Sequence, residues 1–173
     1  MSPFLKMLER RFIRPAENHF PRSGAREDEE FLGNINDIDY VLSNSDIVVI
    51  SLPLSNYTRG IINSARLEMM KKDAILINVA RAEIIDQKDL FDHLSRNQEF
   101  KAGIDVWWTE PLSKGKFETD FPFLELENLI GSPHNSSVAE GETVYAYEQA
   151  LANVSRYVHN QNVKNKVNRS DYS

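Results

Sequence analysis

The chain has 173 residues, of which 41% are hydrophobic and 27% are charged, with a formal net charge of −6 and no cysteine. This size and composition are ordinary for one globular domain with a sizeable core. The negative charge argues against a nucleic-acid binder, the lack of cysteine excludes disulfides and thiolate metal sites, and no apolar run reaches the ~18 residues of a membrane span. We expect a cytoplasmic protein without a metal centre.

The first part of the chain differs in charge from the rest. Residues 1–26 contain six lysines and arginines against two glutamates. Organellar presequences are rich in arginine and poor in acids, but the two glutamates and the scarcity of serine favour solvated arginines instead. We therefore expect residues 1–26 to be an irregular N-terminal segment, with order beginning near residue 35.

Four apolar runs predict buried strands, and amphipathic stretches around them predict helices. The strands are expected at 46–52, 74–79, 101–106 and 128–132. The helices are expected at 35–45, 63–70, 87–97 and from Ser137 onward, the last with an apolar stripe of Val144, Tyr147, Leu151, Val154 and Val158. Continuous β-branched runs are typical of parallel strands that are covered on both faces.

The alternation of these elements indicates the fold class. The first three strands begin 28 and 27 residues apart, close to the ~30 residues of a βαβ unit. Right-handed crossovers would pack the helices on a parallel sheet, so we predict an α/β fold of the doubly wound type. Residues 27–160 form the predicted domain, and the polar residues 161–173 form a tail.

A set of polar residues follows the predicted strands. Arg81 comes after the second strand, Asp105 closes the third, Glu110 lies in the next loop and His134 follows the fourth. Each alone has a structural interpretation: a solvated cation, a turn residue, a loop acid or a satisfied histidine. Together they predict a site, because ligands of an open parallel sheet bind beyond the carboxyl ends of its strands.

The chemistry of this set indicates a class of substrate. A carboxylate beside an imidazole raises the imidazole pKa and orients the ring, as an acid–base histidine near neutral pH requires. An arginine pairs with a carboxylate and polarises an adjacent carbonyl. The set suits an α-keto or α-hydroxy acid. Trp107 and Trp108 are interpreted as packing or interface aromatics.

Several motifs resemble a known family. NVARAEIID, GIDVWWTEPL and NLIGSPH, in this order and at these separations, resemble the D-isomer-specific 2-hydroxyacid dehydrogenases. SLPLSNYTRGIIN resembles the stretch of that family that leads to its arginine. The likeness runs from about Asp37 to His134. The paired tryptophans and the ending NRSDY resemble an archaeal branch of the family.

The resemblance implies hydride transfer between NAD or NADP and C2 of a small 2-hydroxy acid. It implies that Arg81 binds the substrate carboxylate, that Glu110 is the partner of the histidine, and that His134 is the general acid in keto-acid reduction. It also implies a set of cofactor contacts, with Asp105 on the nicotinamide carboxamide: Arg22, Ser23, Leu52, Pro53, Thr58, Val79, Ala80 and Asp105. Arg22, in place of an acid near the adenosine ribose, favours NADP.

The chain also departs from the family pattern. Ala82 replaces the usual glycine after the arginine, NSS follows His134 where paired glycines are common, and no G-x-G-x-x-G is present. That fingerprint lets a helix N-terminus receive the pyrophosphate. We therefore expect a Rossmann-like NAD(P)-binding domain without its first βα unit, encoded by a truncated reading frame, that binds cofactor weakly and turns over poorly.

Truncation would have a second consequence. Exposed sheet edges and helix faces favour association, so we expect a homodimer. The alternative to a dehydrogenase is a catalytically inactive remnant, or an NAD-binding or oligomerisation module, that keeps the half-fold. Retention of Arg81, Glu110 and His134 favours the enzyme.

Overall fold

The structure, a computed structural model, describes residues 11–14, 31–111, 115–136, 141–164 and 166. Six strands and four α-helices lie within these residues. In chain order they are β1 (Arg11–Arg14), β2 (Phe31–Asn34), α1 (Ile38–Asn44), β3 (Ile47–Ile50), α2 (Ser64–Met69), β4 (Ile75–Asn78), α3 (Gln87–Arg96), β5 (Lys101–Ile104), β6 (Leu129–Gly131) and α4 (Glu142–Val158).

The main sheet is parallel, and its strands follow one another in the order β3-β4-β5-β6. Ile50, Asn78, Ile104 and Gly131 stand in register across it, so the carboxyl ends of all four strands lie at the same edge. The predicted α/β fold is thereby confirmed. Each strand is shorter than its apolar run.

The hydrophobic core lies on one face of this sheet. Right-handed crossovers between successive neighbouring strands place their helices on the same side, and the side chains of that side are buried. Leu76 of β4, Leu67 of α2, and Leu90 and Leu94 of α3 have no exposed surface. Burial of each such leucine contributes about 2 kcal/mol. Asp86 caps α3 as its side chain accepts from the Asp89 N–H.

The opposite face of the sheet is more open than the sequence predicts. Val49, Ile77, Gly103 and Ile130 share one row on that face. Val49 is 55% exposed and Ile130 is 78% exposed. The expectation that the strands are covered on both faces was therefore wrong at both edges of the sheet. The β-branched residues of these runs favour the strand conformation, but they do not require that both faces of the sheet be buried.

Two further strands were not predicted. β1 and β2 form a separate two-stranded parallel sheet, with Arg11 paired to Phe31 and Arg14 to Asn34. The expectation that order begins near residue 35 was therefore wrong, and β1 lies inside the segment that was expected to be irregular. Glycine and asparagine in FLGN disfavour a strand, which concealed β2 from sequence reasoning.

The long C-terminal helix is confirmed as α4. The residues of its predicted apolar stripe are between 59% and 68% exposed: Val144, Tyr147, Leu151, Val154 and Val158. Two further tyrosines of the helix, Tyr145 and Tyr157, are 60% and 77% exposed. No helix among the described residues combines the length and the apolar character needed to cross a membrane.

Candidate active site

Glu110 and His134 meet at the carboxyl edge of the sheet, on the loops that follow β5 and β6. Nδ1 of His134 lies 2.8 Å from Oε2 of Glu110. The His134 side chain is 32% exposed and that of Glu110 is 14% exposed. Because an ionised carboxylate only accepts hydrogen bonds, this contact places the hydrogen on Nδ1 and leaves Nε2 as the nitrogen for a ligand. The pair is the arrangement of an oriented acid–base histidine.

His134 has an unfavourable backbone conformation, and hydrogen bonds to Asp105 hold the loop around it. Its φ of 54° lies in the left-handed region, which costs a residue with a side chain about 1 kcal/mol. Asp105 anchors the loop on both sides of this residue. Its Oδ1 accepts from Ser132 Oγ at 2.5 Å and from the Asn135 N–H at 3.0 Å, and its Oδ2 accepts from the Ser136 N–H at 2.9 Å.

Asp105 is 3% exposed, and its hydrogen bonds hold the pKa of its carboxyl below the usual range. Burial by itself raises the pKa of this carboxyl, but the hydrogen bonds from Ser132, Ser136 and Asn135 outweigh it and lower the pKa from 3.8 to about 2. Bonds to the charged form explain the direction. The carboxylate thus stays charged and holds the His134 loop. A contact with nicotinamide, which the resemblance implies, stays a prediction.

Trp107 also contacts this site, which sequence reasoning missed. Its backbone N–H donates to Oε1 of Glu110 at 2.7 Å, and its indole Nε1–H donates to the Ser132 carbonyl at 2.9 Å. The interpretation as a packing aromatic was incomplete, although the ring does lie edge-on to Phe117 at 5.2 Å. A hydrogen bond through an indole N–H leaves no signal in composition or periodicity.

Trp108 packs against the hydrophobic core. Its indole N–H donates to the Ile85 carbonyl at 3.1 Å. Its ring stacks on Phe123, with centroids 5.4 Å apart. This agrees with its interpretation as a packing residue.

Arg81 lies three residues beyond β4, on the same edge of the sheet. Its side chain is exposed, and Nη1 donates to the Ala80 carbonyl at 2.6 Å. One strand, β5, separates β4 from β6, so the strand ends that carry Arg81 and His134 are about 10 Å apart. The structure thus joins Glu110 and His134 directly and places Arg81 along the same edge.

Asn78 shapes the turn that carries Arg81, and sequence reasoning did not single it out. This buried side chain, 1% exposed, accepts from the Ala80 N–H at 3.0 Å and donates to the Arg81 carbonyl at 2.9 Å. A polar residue that closes the apolar run AILIN was the available signal. Ala82 begins a short 3-10 helix after the turn, and it is not among the residues with positive φ.

The residues expected to line a cofactor lie beyond the same strand ends. Pro53 and Val79 are exposed, Leu52 is partly buried and Ala80 is buried. Thr58 is buried, and its hydroxyl donates to the Pro53 carbonyl at 2.7 Å and accepts from the Ser55 N–H at 2.8 Å. Thr58 therefore fixes the shape of this loop, whatever else it contacts.

These residues fit one end of a dinucleotide. Pro53 follows β3 and Val79 follows β4, and both offer exposed apolar surface at the edge of the sheet where Glu110 and His134 lie. A cradle for the pyrophosphate is not recognisable, since the sequence holds no glycine-rich fingerprint. Arg22 and Ser23 lie outside the described residues. Within the described residues, no three His, Asp or Glu side chains converge as metal ligands.

Residues 16–136 match the family described as D-isomer specific 2-hydroxyacid dehydrogenase, NAD binding domain. The chain belongs to this family. The resemblance seen in its motifs is thereby confirmed, together with the Rossmann-like architecture, whereas the archaeal likeness stays a prediction. The match begins at residue 16, inside the segment that was expected to be irregular. The division into residues 1–26, 27–160 and 161–173 stays a prediction.

Individual dehydrogenases of this family show how much of the chain is shared. A glyoxylate/hydroxypyruvate reductase B from Cronobacter sakazakii is 36% identical over 124 residues, which are 72% of this chain and 36% of that protein. A glyoxylate/hydroxypyruvate reductase B from Enterobacter sp. (strain 638) is 31% identical over 147 residues, 85% of this chain and 44% of that protein. The chain therefore spans less than half the length of these relatives.

Solved structures agree. A D-isomer specific 2-hydroxyacid dehydrogenase from Xanthobacter autotrophicus Py2, in complex with NADPH and MES, superposes with a TM-score of 0.72 at 30% identity over 91% of this chain and 60% of that one. D-lactate dehydrogenase with NAD+ from Lactobacillus jensenii gives 0.63 at 28% identity, over 84% and 46%. Neighbours of this domain thus hold either dinucleotide.

Proposed function

We propose that this chain carries the nicotinamide end and the acid–base pair of an NAD(P)-dependent oxidoreductase that interconverts a small 2-keto acid and its 2-hydroxy acid. The observation that carries the proposal is the 2.8 Å contact between His134 and Glu110 at the carboxyl edge of the sheet. Membership of the 2-hydroxyacid dehydrogenase family and relatives named glyoxylate/hydroxypyruvate reductase support it.

The proposed roles rest on the chemistry of the three side chains and on the resemblance of their motifs to the family. In the reducing direction His134 acts as the imidazolium, with a hydrogen on each nitrogen: it donates the Nε2 proton to the carbonyl oxygen of the keto acid and keeps the Nδ1 hydrogen on Glu110. Arg81 pairs with the substrate carboxylate and polarises the carbonyl. The bound dinucleotide would supply the hydride for C2. In the oxidising direction His134 takes the hydroxyl proton back.

The residues for the cofactor support a weak complex. Leu52, Pro53, Thr58, Val79 and Ala80 would line the cofactor, and Asp105 would hold the nicotinamide carboxamide. The sequence lacks a glycine-rich loop for the pyrophosphate, and catalysis of this kind depends on a cleft that excludes water. We therefore propose that the chain by itself binds NAD(H) or NADP(H) weakly and reduces keto acids slowly.

The test is reduction of glyoxylate, hydroxypyruvate and pyruvate by the purified chain with each reduced cofactor. Loss of the acid–base group removes roughly 10²–10⁴-fold of rate, so His134→Gln should abolish turnover. His159→Gln, a change at an exposed histidine near the end of α4, is the matched control and should leave the rate unchanged. Equal rates in wild type and His134→Gln would reject the site.

The rate of the wild type tests a separate part of the proposal. Slow turnover that depends on His134 supports a chain that lacks part of its cofactor site. Brisk turnover that depends on His134 would support the site and reject the argument from the missing glycine loop. Cofactor binding without any turnover would favour the alternative function, an inactive NAD-binding or oligomerisation module. Homodimer formation and a cytoplasmic location also belong to this proposal.

A further inference from the structure

Trp107 is bonded to both loops of the acid–base pair. Its main-chain N–H holds Oε1 of Glu110, which leaves Oε2 for His134. Its indole N–H holds the carbonyl of Ser132, two residues before His134. The indole of Trp107 thus joins the loop after β5 to the loop after β6, and the residue is 7% exposed.

The ring of Trp107 packs directly against the backbone of β6. A Cβ atom built on Gly131 would lie 2.5 Å from Cζ2 and 3.0 Å from Cη2 of Trp107. The first distance is shorter than real Cβ contacts, so the indole rests directly on the backbone of the last residue of β6. On its other sides the ring meets Phe117 and Phe123 edge-on, at 5.2 Å and 6.5 Å.

We propose that Trp107 is a positioning residue that sets the distance between Glu110 and His134. A large ring, fixed between Gly131 and two phenylalanines, has few rotamers left. Its indole N–H therefore locates Ser132, and with it the left-handed turn at His134, relative to the Glu110 carboxylate. The consequence for catalysis depends on the proposed function, whereas the geometric claim concerns the imidazole itself.

The experiment compares Trp107→Phe with Trp108→Phe. Trp107→Phe keeps an aromatic ring and removes the indole N–H, and Trp108→Phe removes an equivalent indole bond to a backbone carbonyl outside the pair. NMR of the imidazole nitrogens, assigned with His134→Gln, reports the fraction of His134 with its hydrogen on Nδ1 and the exchange rate of that hydrogen. Thermal unfolding confirms that each variant is folded.

We expect Trp107→Phe to speed exchange of the Nδ1 hydrogen by roughly three- to tenfold, the effect of one weakened hydrogen bond, and to lower the Nδ1–H fraction. Trp108→Phe should leave both unchanged. Gly131→Ala provides a second route, because it displaces the ring and keeps the indole N–H, and it should move both quantities in the same direction.

An unchanged imidazole in Trp107→Phe and Gly131→Ala, or an equal change in Trp108→Phe, would overturn the proposal. The outcome is independent of the proposed function. An altered imidazole in a chain that reduces no keto acid would support positioning by Trp107 and reject the function. If the chain reduces keto acids and the His134 imidazole is unchanged in these variants, the function would be supported and positioning by Trp107 would be rejected.

Discussion

Asp105 shows how a single residue can serve both the stability of the chain and the geometry of its site. The carboxylate is buried, yet three hydrogen-bond donors from residues 132–136 keep its pKa at about 2. Those donors belong to the loop that holds His134 at positive φ. The hydrogen bonds to the charged Asp105 carboxylate therefore offset the free-energy cost of the positive φ at His134.

The lowered pKa predicts a pH dependence of stability. A folded pKa of about 2 against 3.8 unfolded corresponds to about 2 kcal/mol of unfolding free energy, present above pH 3.8 and lost as the pH falls towards 2. Asp105→Asn should therefore destabilise the chain at neutral pH, and the difference from wild type should shrink below pH 3.8. Urea unfolding at several pH values measures it, with the exposed Asp73→Asn as control. A constant difference across this range would contradict the assignment.

Site residues could be predicted from the sequence where the residue type and its position after a predicted strand were enough to suggest a role. Arg81, Glu110 and His134 were identified this way, and the parallel sheet brings their loops to one edge. The supporting bonds could not be predicted. The side chain of Asn78 and the indole of Trp107 act on backbone atoms, and the partner of such a bond depends on the three-dimensional path of the loop.

At the scale of elements, α2 and α3 pack around a buried histidine. His93 is 6% exposed, and its Nε2 has no hydrogen-bond partner within the described structure. Burial is the main cause that lowers its pKa below 6.5, while the nearby Glu68 acts in the opposite direction. The ring packs edge-on against Phe100, with centroids 4.6 Å apart. His93 is thus a structural residue that is favourable when neutral.

This histidine predicts a loss of stability in mild acid. Because the unfolded chain takes up the proton first, with a pKa of 6.5, the unfolding free energy should fall as the pH drops below that value. His93→Leu removes this titration and should flatten the curve. His159→Leu, at an exposed position after α4, should leave it steep. Urea unfolding between neutral pH and mild acid distinguishes the two, and equal slopes in both variants would refute the role of His93.

Element prediction succeeded where periodicity and length agree, as for α3 and α4. It failed for β1 and β2, which are four residues each and pair with one another across an intervening stretch. It also failed for the open face of the main sheet, since Val49 and Ile130 belong to runs that look fully buried. Which face a helix covers is decided by the crossovers, and no single run encodes that choice.

At the scale of the whole molecule, apolar surface is exposed on both α4 and the sheet. Five residues of the α4 stripe lie three and four apart on one face, and each is more than half exposed. Contiguous apolar surface of this kind marks an interface. The relatives are more than twice as long as the region they share with this chain.

We therefore predict that the isolated polypeptide associates. Sedimentation velocity should show a dimer or larger species at micromolar concentrations. Leu151→Glu places a charge in the centre of the stripe and should favour the monomer, whereas Gln149→Glu, on the opposite side of α4, should not. A compact monomer in the wild type would contradict this prediction.

The most direct test of the account asks whether Arg81, Glu110 and His134 act on one small molecule. Reduction of glyoxylate is measured for the wild type, Arg81→Gln, Glu110→Gln and His134→Gln, with His159→Gln as control. We expect a higher KM for the keto acid in Arg81→Gln, a lower kcat in Glu110→Gln, and no turnover in His134→Gln. Turnover that survives all three changes would contradict the account.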